Sequence, residues 1–200
     1  ISNWRDVTVG RSTPKKSTKP PTPAQLDQQS QFGLVTGFLG NISDILALGY
    51  QFGPKGITPM NAAVRYHLNT AVKGAYPEYQ LDYTKVVISN GNAKNEIDGG
   101  IDASALAVAD AKVTVSWITA EHTDDNPTLP ADLACLVFYS TTKQRFVTFK
   151  GKAERSLLST TVQIPRSFVG DNFQGYLFFV SPNRKSVSFS DYLGSFTLIA

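Results

Sequence analysis

The densest group of chemistry-bearing side chains in the sequence is Glu121, His122, Thr123, Asp124, Asp125 and Asn126. Oxygen donors at 124–126 are of the type that meets a calcium ion. The run lacks the alternating ligand spacing of a calcium loop, and Pro127 and Pro130 mark it as an ordinary hairpin loop, so no metal is expected there. The other reactive groups stand apart. Cys135 is the single cysteine, and His67 and His122 are the only histidines. A cysteine nucleophile needs a base converging on it, and Cys135 lies inside an apolar run. The serines have no G-x-S-x-G elbow. Residues 53–58, GPKGIT, carry a lysine but not the spacing that lets backbone amides cradle phosphates. No acid pair beside clustered aromatics argues for glycoside hydrolysis. One cysteine also excludes an internal disulfide and a zinc–thiolate cluster. The expectation is a non-enzyme that uses no cofactor.

The elements around these groups suit a β-rich chain. Two hundred residues, 21.8 kDa, are enough for one sizeable β-domain or a domain with a helical appendage. The composition, 42% hydrophobic and 18% charged, is that of a globular chain and excludes a wholly disordered one. No uninterrupted apolar run approaches the roughly 18–20 residues of a membrane span, so none is expected.

Charge is uneven. The net charge is +3, yet Arg5, Arg11, Lys15, Lys16 and Lys19 face only Asp6 in residues 1–26, and the remainder is close to neutral. A basic arm can attract nucleic acid, anionic lipid or an acidic protein surface. Five charges are sparse and only Trp4 is interleaved with them, so nucleic acid is not expected as a partner. The chain opens on Ile1 with no charged and apolar leader before it, which points to processing or to missing upstream residues.

Residues 1–13 read as an extended segment in which Val7 and Val9 alternate with polar neighbours. Pro14, Pro20, Pro21 and Pro23 make 14–23 an extended spacer. Thr22 is placed as an N-cap with Pro23 in the first turn, opening a helical pattern carried by Leu26, Phe32, Leu34, Val35, Phe38 and Leu39 and weakened by Gly33, Gly37 and Gly40. A second helix is expected over 59–73, with Met60, Ala63, Val64, His67, Leu68 and Ala71 on one face and Gly74 as its C-cap. His67 reads as a packed, hydrogen-bonded histidine. Residues 82–89 read as strand-like and end at the turn dipeptide Asn90-Gly91. Short β-like runs follow at 101–108, 112–120, 133–140, 145–150, 157–164, 174–181 and 186–199. Val113, Val115 and Trp117 share a face, and 133–139 is apolar throughout, as in a strand covered on both sides. The expected fold is α+β: an extended basic arm (1–23), a two-helix segment (24–75) and an antiparallel Ig-like β-sandwich (80–200). Trp117 and Cys135 suggest the tryptophan and cysteine of an immunoglobulin core, without the second cysteine.

Asn3-Trp4-Arg5, Thr22-Pro23-Ala24-Gln25-Leu26, Phe32-Gly33, Val113-Thr114-Val115-Ser116-Trp117, Ile164-Pro165, Gly170-Asp171 and Ser190-Asp191-Tyr192-Leu193-Gly194 resemble an uncharacterised Bacteroidota family known only as a domain of unknown function. The resemblance spans the chain. It implies a bacterial origin and a glycine-rich stretch upstream of Ile1, and it brings no activity, cofactor or site residue.

The function expected from these residues is a structural subunit that polymerises with other copies of itself into an extracellular or cell-surface, pilus-like filament. Its arm, through Ile1, Trp4, Arg5, Val7, Val9 and Arg11, would add to a neighbour's sheet edge. The alternative in which the arm completes its own sandwich weighs equally. Two further alternatives are a phage-derived or contractile-particle component and a glycan- or protein-binding module in which Tyr76 and Tyr79 stack on a sugar.

Overall fold

The computed structural model describes residues 2–4, 7–10, 19–91, 106–118 and 129–200. The Thr22 N-cap forms as the sequence predicts. Its hydroxyl accepts from the Gln25 amide and the Gln25 side chain accepts from the Thr22 amide, with Pro23 in the first turn. Helix α1 (Pro23–Leu39) runs through a 3-10 turn at Gly40–Ile42 into α2 (Ser43–Gly49). This continuous stretch, Pro23–Gly49, is long and apolar enough by composition to cross a membrane. Counting uninterrupted apolar residues misses that, because glycines and neutral polar residues break the run without adding charge. Its apolar side chains Val35, Phe38, Leu39, Ile42, Ile45 and Leu46 are buried within the protein.

Helix α3 (Pro59–Thr70) ends three residues before its expected end. Ala71 is its C-cap, and the chain turns into a hairpin, β3 (Val72–Ala75) and β4 (Glu78–Leu81). Gly74 is therefore not a helix cap. It lies in β3 at φ +98°, where an added Cβ would sit 2.6 Å from the Glu78 carbonyl oxygen.

Among the described residues seven strands build the sandwich. One sheet has the order β11 (Asp191–Thr197), β10 (Asn172–Val180), β7 (Leu133–Ser140), β8 (Arg145–Phe149). The other has the order β5 (Leu106–Ala109), β6 (Lys112–Ser116), β9 (Ser159–Gln163). All pairs are antiparallel, as an Ig-like topology requires. Strand parity then divides the protein into three layers. Leu136 and Phe138 of β7 and Phe173, Leu177 and Phe179 of β10 pack between the sheets against Val113, Val115, Trp117 and Val162. Their sequence neighbours Cys135, Val137, Tyr139, Tyr176, Phe178 and Val180 point the other way and pack against the helices. This is why β7 and β10 are apolar on both faces. Trp117 and Cys135 do not share a core: they lie on opposite sides of the four-stranded sheet, Trp117 between the sheets and Cys135 on the helical side.

Residues 82–89 do not form a ladder strand. Tyr83–Lys85 is a 3-10 turn, and 86–91 is a strap between α2, α3 and the loop before β11. The Val87 amide donates to His67 Nε2 (3.2 Å), the Ile88 amide to Ser190 Oγ (2.8 Å) and the Asn90 amide to the Gly49 carbonyl (3.0 Å). The Tyr50 hydroxyl donates to the Val87 carbonyl (2.8 Å), and the Ser89 hydroxyl to that of Ser188 (2.5 Å). Among the described residues Asn90-Gly91 accordingly closes no hairpin. The strap satisfies its buried backbone groups with side chains and loops, and so ties the helical layer to the sandwich.

Candidate functional site

The arm was expected as one extended strand. The described part is instead a hairpin, β1 (Ser2–Trp4) paired antiparallel with β2 (Val7–Val9) in the register Ser2 to Val9, Asn3 to Thr8 and Trp4 to Val7. Alternating polar and apolar residues suit a strand, but that pattern does not say whether the partner is another chain or the next few residues. The hairpin is a sheet of its own, part of neither sandwich sheet. Trp4, Val7 and Val9 are brought together on it as backbone positions, while Ile1, Arg5 and Arg11 lie outside the described residues. Residues 121–126 lie outside them as well. Among the described residues no three His, Cys, Asp or Glu side chains are grouped to hold a metal ion.

The buried histidine and cysteine of the body are fixed in inert forms by their surroundings. His67 Nδ1 lies 2.7 Å from the Ala63 carbonyl and Nε2 accepts from Val87, which makes it the neutral tautomer with Nδ1–H as donor. Burial holds its pKa below the ordinary value. Cys135 is fully buried, and burial pushes its thiol up, away from the reactive thiolate.

No role was expected of Arg155, yet it is only 2% exposed. Its amide donates to the Asp132 carbonyl (2.7 Å) and its carbonyl accepts from Trp117 Nε1 (2.7 Å). Its guanidinium lies 4.6 Å over the Phe179 ring, with both terminal nitrogens lacking a hydrogen-bond partner, as does Asp132 Oδ1. Burial pushes Asp132 up, and pushes Asp191 up to about 6 against the pull of Arg155. The Asp191 carboxyl is thus more easily protonated in the folded chain than in the unfolded one. Its contribution to stability is complete below the unfolded value of 3.8 and is lost as pH rises through about 6. Asp191→Asn, which keeps the neutral form at every pH, is expected to raise stability at pH 7.5 by about 1–2 kcal/mol after allowance for solvent screening, and to change little at pH 3.5. Urea unfolding at the two pH values checks this, and an equal effect at both would contradict it.

The two tyrosines of the sugar-stacking alternative differ in setting. Tyr76 is exposed, but Tyr79 is half-buried and its hydroxyl donates to Asp27 (2.5 Å), a bond that pushes its pKa up. Tyr79 instead borders a groove of about 460 Å³ between α1, β4, the 83–85 turn and the β7–β8 turn. Asn41, Gln80, Tyr83, Tyr139 and Gln144 also line it, and among the described residues no charged side chain does. These residues are spread over more than a hundred positions, and no local spacing announces them. A larger groove of about 800 Å³ lies between α1 and α3, where Gln28, Phe32 and Leu68 meet the spacer residues Lys19 and Pro21.

With this geometry in place, the comparisons add one finding. The model of a family of unknown function, DUF6266, matches residues 1–194. No curated protein matches the chain.

Proposed function

The chain belongs to DUF6266, and because that family carries no assigned activity we propose a function from geometry: a non-enzymatic structural subunit that associates with other copies of itself through its N-terminal arm. The observation that carries the reading is the arm's independence. β1 and β2 make a two-stranded sheet outside both sandwich sheets, ahead of a proline-rich spacer. An isolated two-stranded ribbon is marginal in water and leaves one edge of each strand unpaired, so it gains from a further strand. The sandwich offers one in β9, which among the described residues is an end strand paired only with β6 and whose Ser159, Thr161 and Gln163 are exposed. The arm of one copy adds to that edge of the next. The proline-rich spacer between the arm and α1 sets the reach of that contact. A head-to-tail contact of this kind that does not close into a ring propagates as a filament. We place that filament outside the cell or at the surface of a Bacteroidota bacterium.

Deleting residues 1–13 is expected to leave a folded chain with unchanged circular dichroism and to abolish assembly, read as particle size by light scattering at high concentration. A deletion variant of unchanged particle size, or an intact chain that stays monomeric, would overturn the reading.

A further inference from the structure

We propose that the uncharged groove bordered by Tyr83 and Tyr139 is a binding site for a neutral oligosaccharide. The groove lies in the helix–sheet body, so the site is separate from the arm and from self-association. Its volume, about 460 Å³, falls within the usual range for small-molecule sites.

The lining chemistry selects the ligand class. Tyr83 and Tyr139 lie with ring centroids 5.7 Å apart, and Phe38 and Phe146 back Tyr139 at 4.8 and 4.7 Å. Tyr139 is itself a core residue, 7% exposed, so it backs the half-buried Tyr83, whose ring is held by packing before any ligand arrives. The apolar C–H face of a pyranose carries slight positive charge and stacks on the negative face of such a ring. Around the rings stand the carboxamides of Asn41, Gln80 and Gln144. Each presents both a donor and an acceptor, which matches vicinal hydroxyls that donate and accept at once. Among the described residues the Gln80 and Gln144 amides take no protein partner. Burial pushes Tyr139 up to about 12, and its neutral hydroxyl is taken by that of Tyr83. With no charged side chain in the lining among the described residues, nothing there favours an acidic polymer or a phosphate.

Gln144 adds an independent mark. It sits at φ +53°, a left-handed conformation that glycine or asparagine adopts more easily. The turn keeps a side chain at a position where a glycine would be less strained, and that side chain borders the groove.

The test is calorimetric titration of the intact chain with maltohexaose, cellohexaose and xylohexaose, and with hexagalacturonate as the acidic counterpart. Saturable binding of at least one neutral hexasaccharide is expected. Gln80→Ala and Gln144→Gly should each weaken it about fivefold, the loss of one hydrogen bond. Gln144→Gly relieves the strained backbone, so its melting temperature should hold or rise while its affinity falls, which separates a binding role from a structural one. The chain lacking residues 1–13 should bind the sugar equally well, whether or not it assembles. The proposal is overturned if no neutral hexasaccharide binds up to about 10 mM, if both variants bind as tightly as the parent, or if hexagalacturonate binds as well as the neutral sugars. It is also overturned if a synthetic peptide of residues 1–13 displaces the sugar, since the groove would then belong to assembly.

Discussion

A Gly91→Ala variant is expected to lose about 3 kcal/mol or more of stability, the cost of forcing an atom into filled space against unyielding backbone. A Cβ at this position would stand 1.9 Å from the Val187 carbonyl oxygen and 2.6 Å from the Ser188 carbonyl carbon. Both obstacles are main chain, in a loop held to the strap by Ser190 N to Ser89 O (3.0 Å) and to β10 by Ser188 N to Phe179 O (2.9 Å). Relief requires the strap to withdraw, and withdrawal breaks the bonds from Ile88 to Ser190 and from Ser89 to Ser188. Gly49→Ala meets the opposite side of the same strap, 2.5 Å from the Ile88 carbonyl oxygen, and is expected to cost a similar amount. Gly33→Ala is the control. A Cβ there meets nothing within 4 Å, and the position lies in the interior of α1, so the change should stabilise by roughly 0.5–1 kcal/mol. Urea unfolding of the three variants decides the matter. If Gly91→Ala were as benign as Gly33→Ala, the strap would not be the joint between the helical layer and the sandwich.

The strap also shows where the sequence stops being readable. Its apolar Val86-Val87-Ile88 looks like a strand because it is extended and buried, which is true. What makes it a strap is the identity of its hydrogen-bond partners, His67 Nε2 and Ser190 Oγ, which lie 20 and 102 residues away. The β3–β4 hairpin was hidden for a different reason. Val72-Lys73-Gly74-Ala75 has no alternation, so the helical period of α3 runs on through it. Where both neighbours of an element follow from local chemistry, the reading succeeds. Thr22 and Gln25 specify a capping box three residues apart, and the unbroken apolar run of β7 specifies a strand covered on both faces. Parity is the finest detail of this kind. A shift of one residue in β7 separates Cys135 from the Trp117 core, and nothing in a list of residue types carries that shift. The arm was legible as basic, proline-spaced and alternating. Its folding into a hairpin was not, because three-residue strands give too few positions to choose between partners.

Arg155→Ala is expected to cost about 3–5 kcal/mol, because it removes a buried cation from between carboxyl groups and leaves a void against Phe179. Two separable effects contribute. The guanidinium fills volume over the Phe179 ring, and its charge lowers the pKa of both Asp132 and Asp191. Arg155→Met keeps most of the volume and discards the charge, along with the cost of burying two unpartnered guanidinium nitrogens. Without the cation, the folded-state pKa of Asp191 moves further above its present value of about 6. The methionine variant should therefore lie close to the parent at pH 4.5, where Asp191 is protonated in both, and fall progressively behind as pH rises through 6 to 8. Adding Asp191→Asn to Arg155→Met should remove most of that pH dependence, leaving Asp132 as the remaining buried carboxylate. Urea unfolding from pH 4.5 to 8 reads all three slopes. A methionine variant whose deficit is the same at every pH would mean that Arg155 acts through its volume alone. A full recovery by methionine at pH 8 would mean that the buried charge contributes nothing to holding β11 against the end of the sandwich.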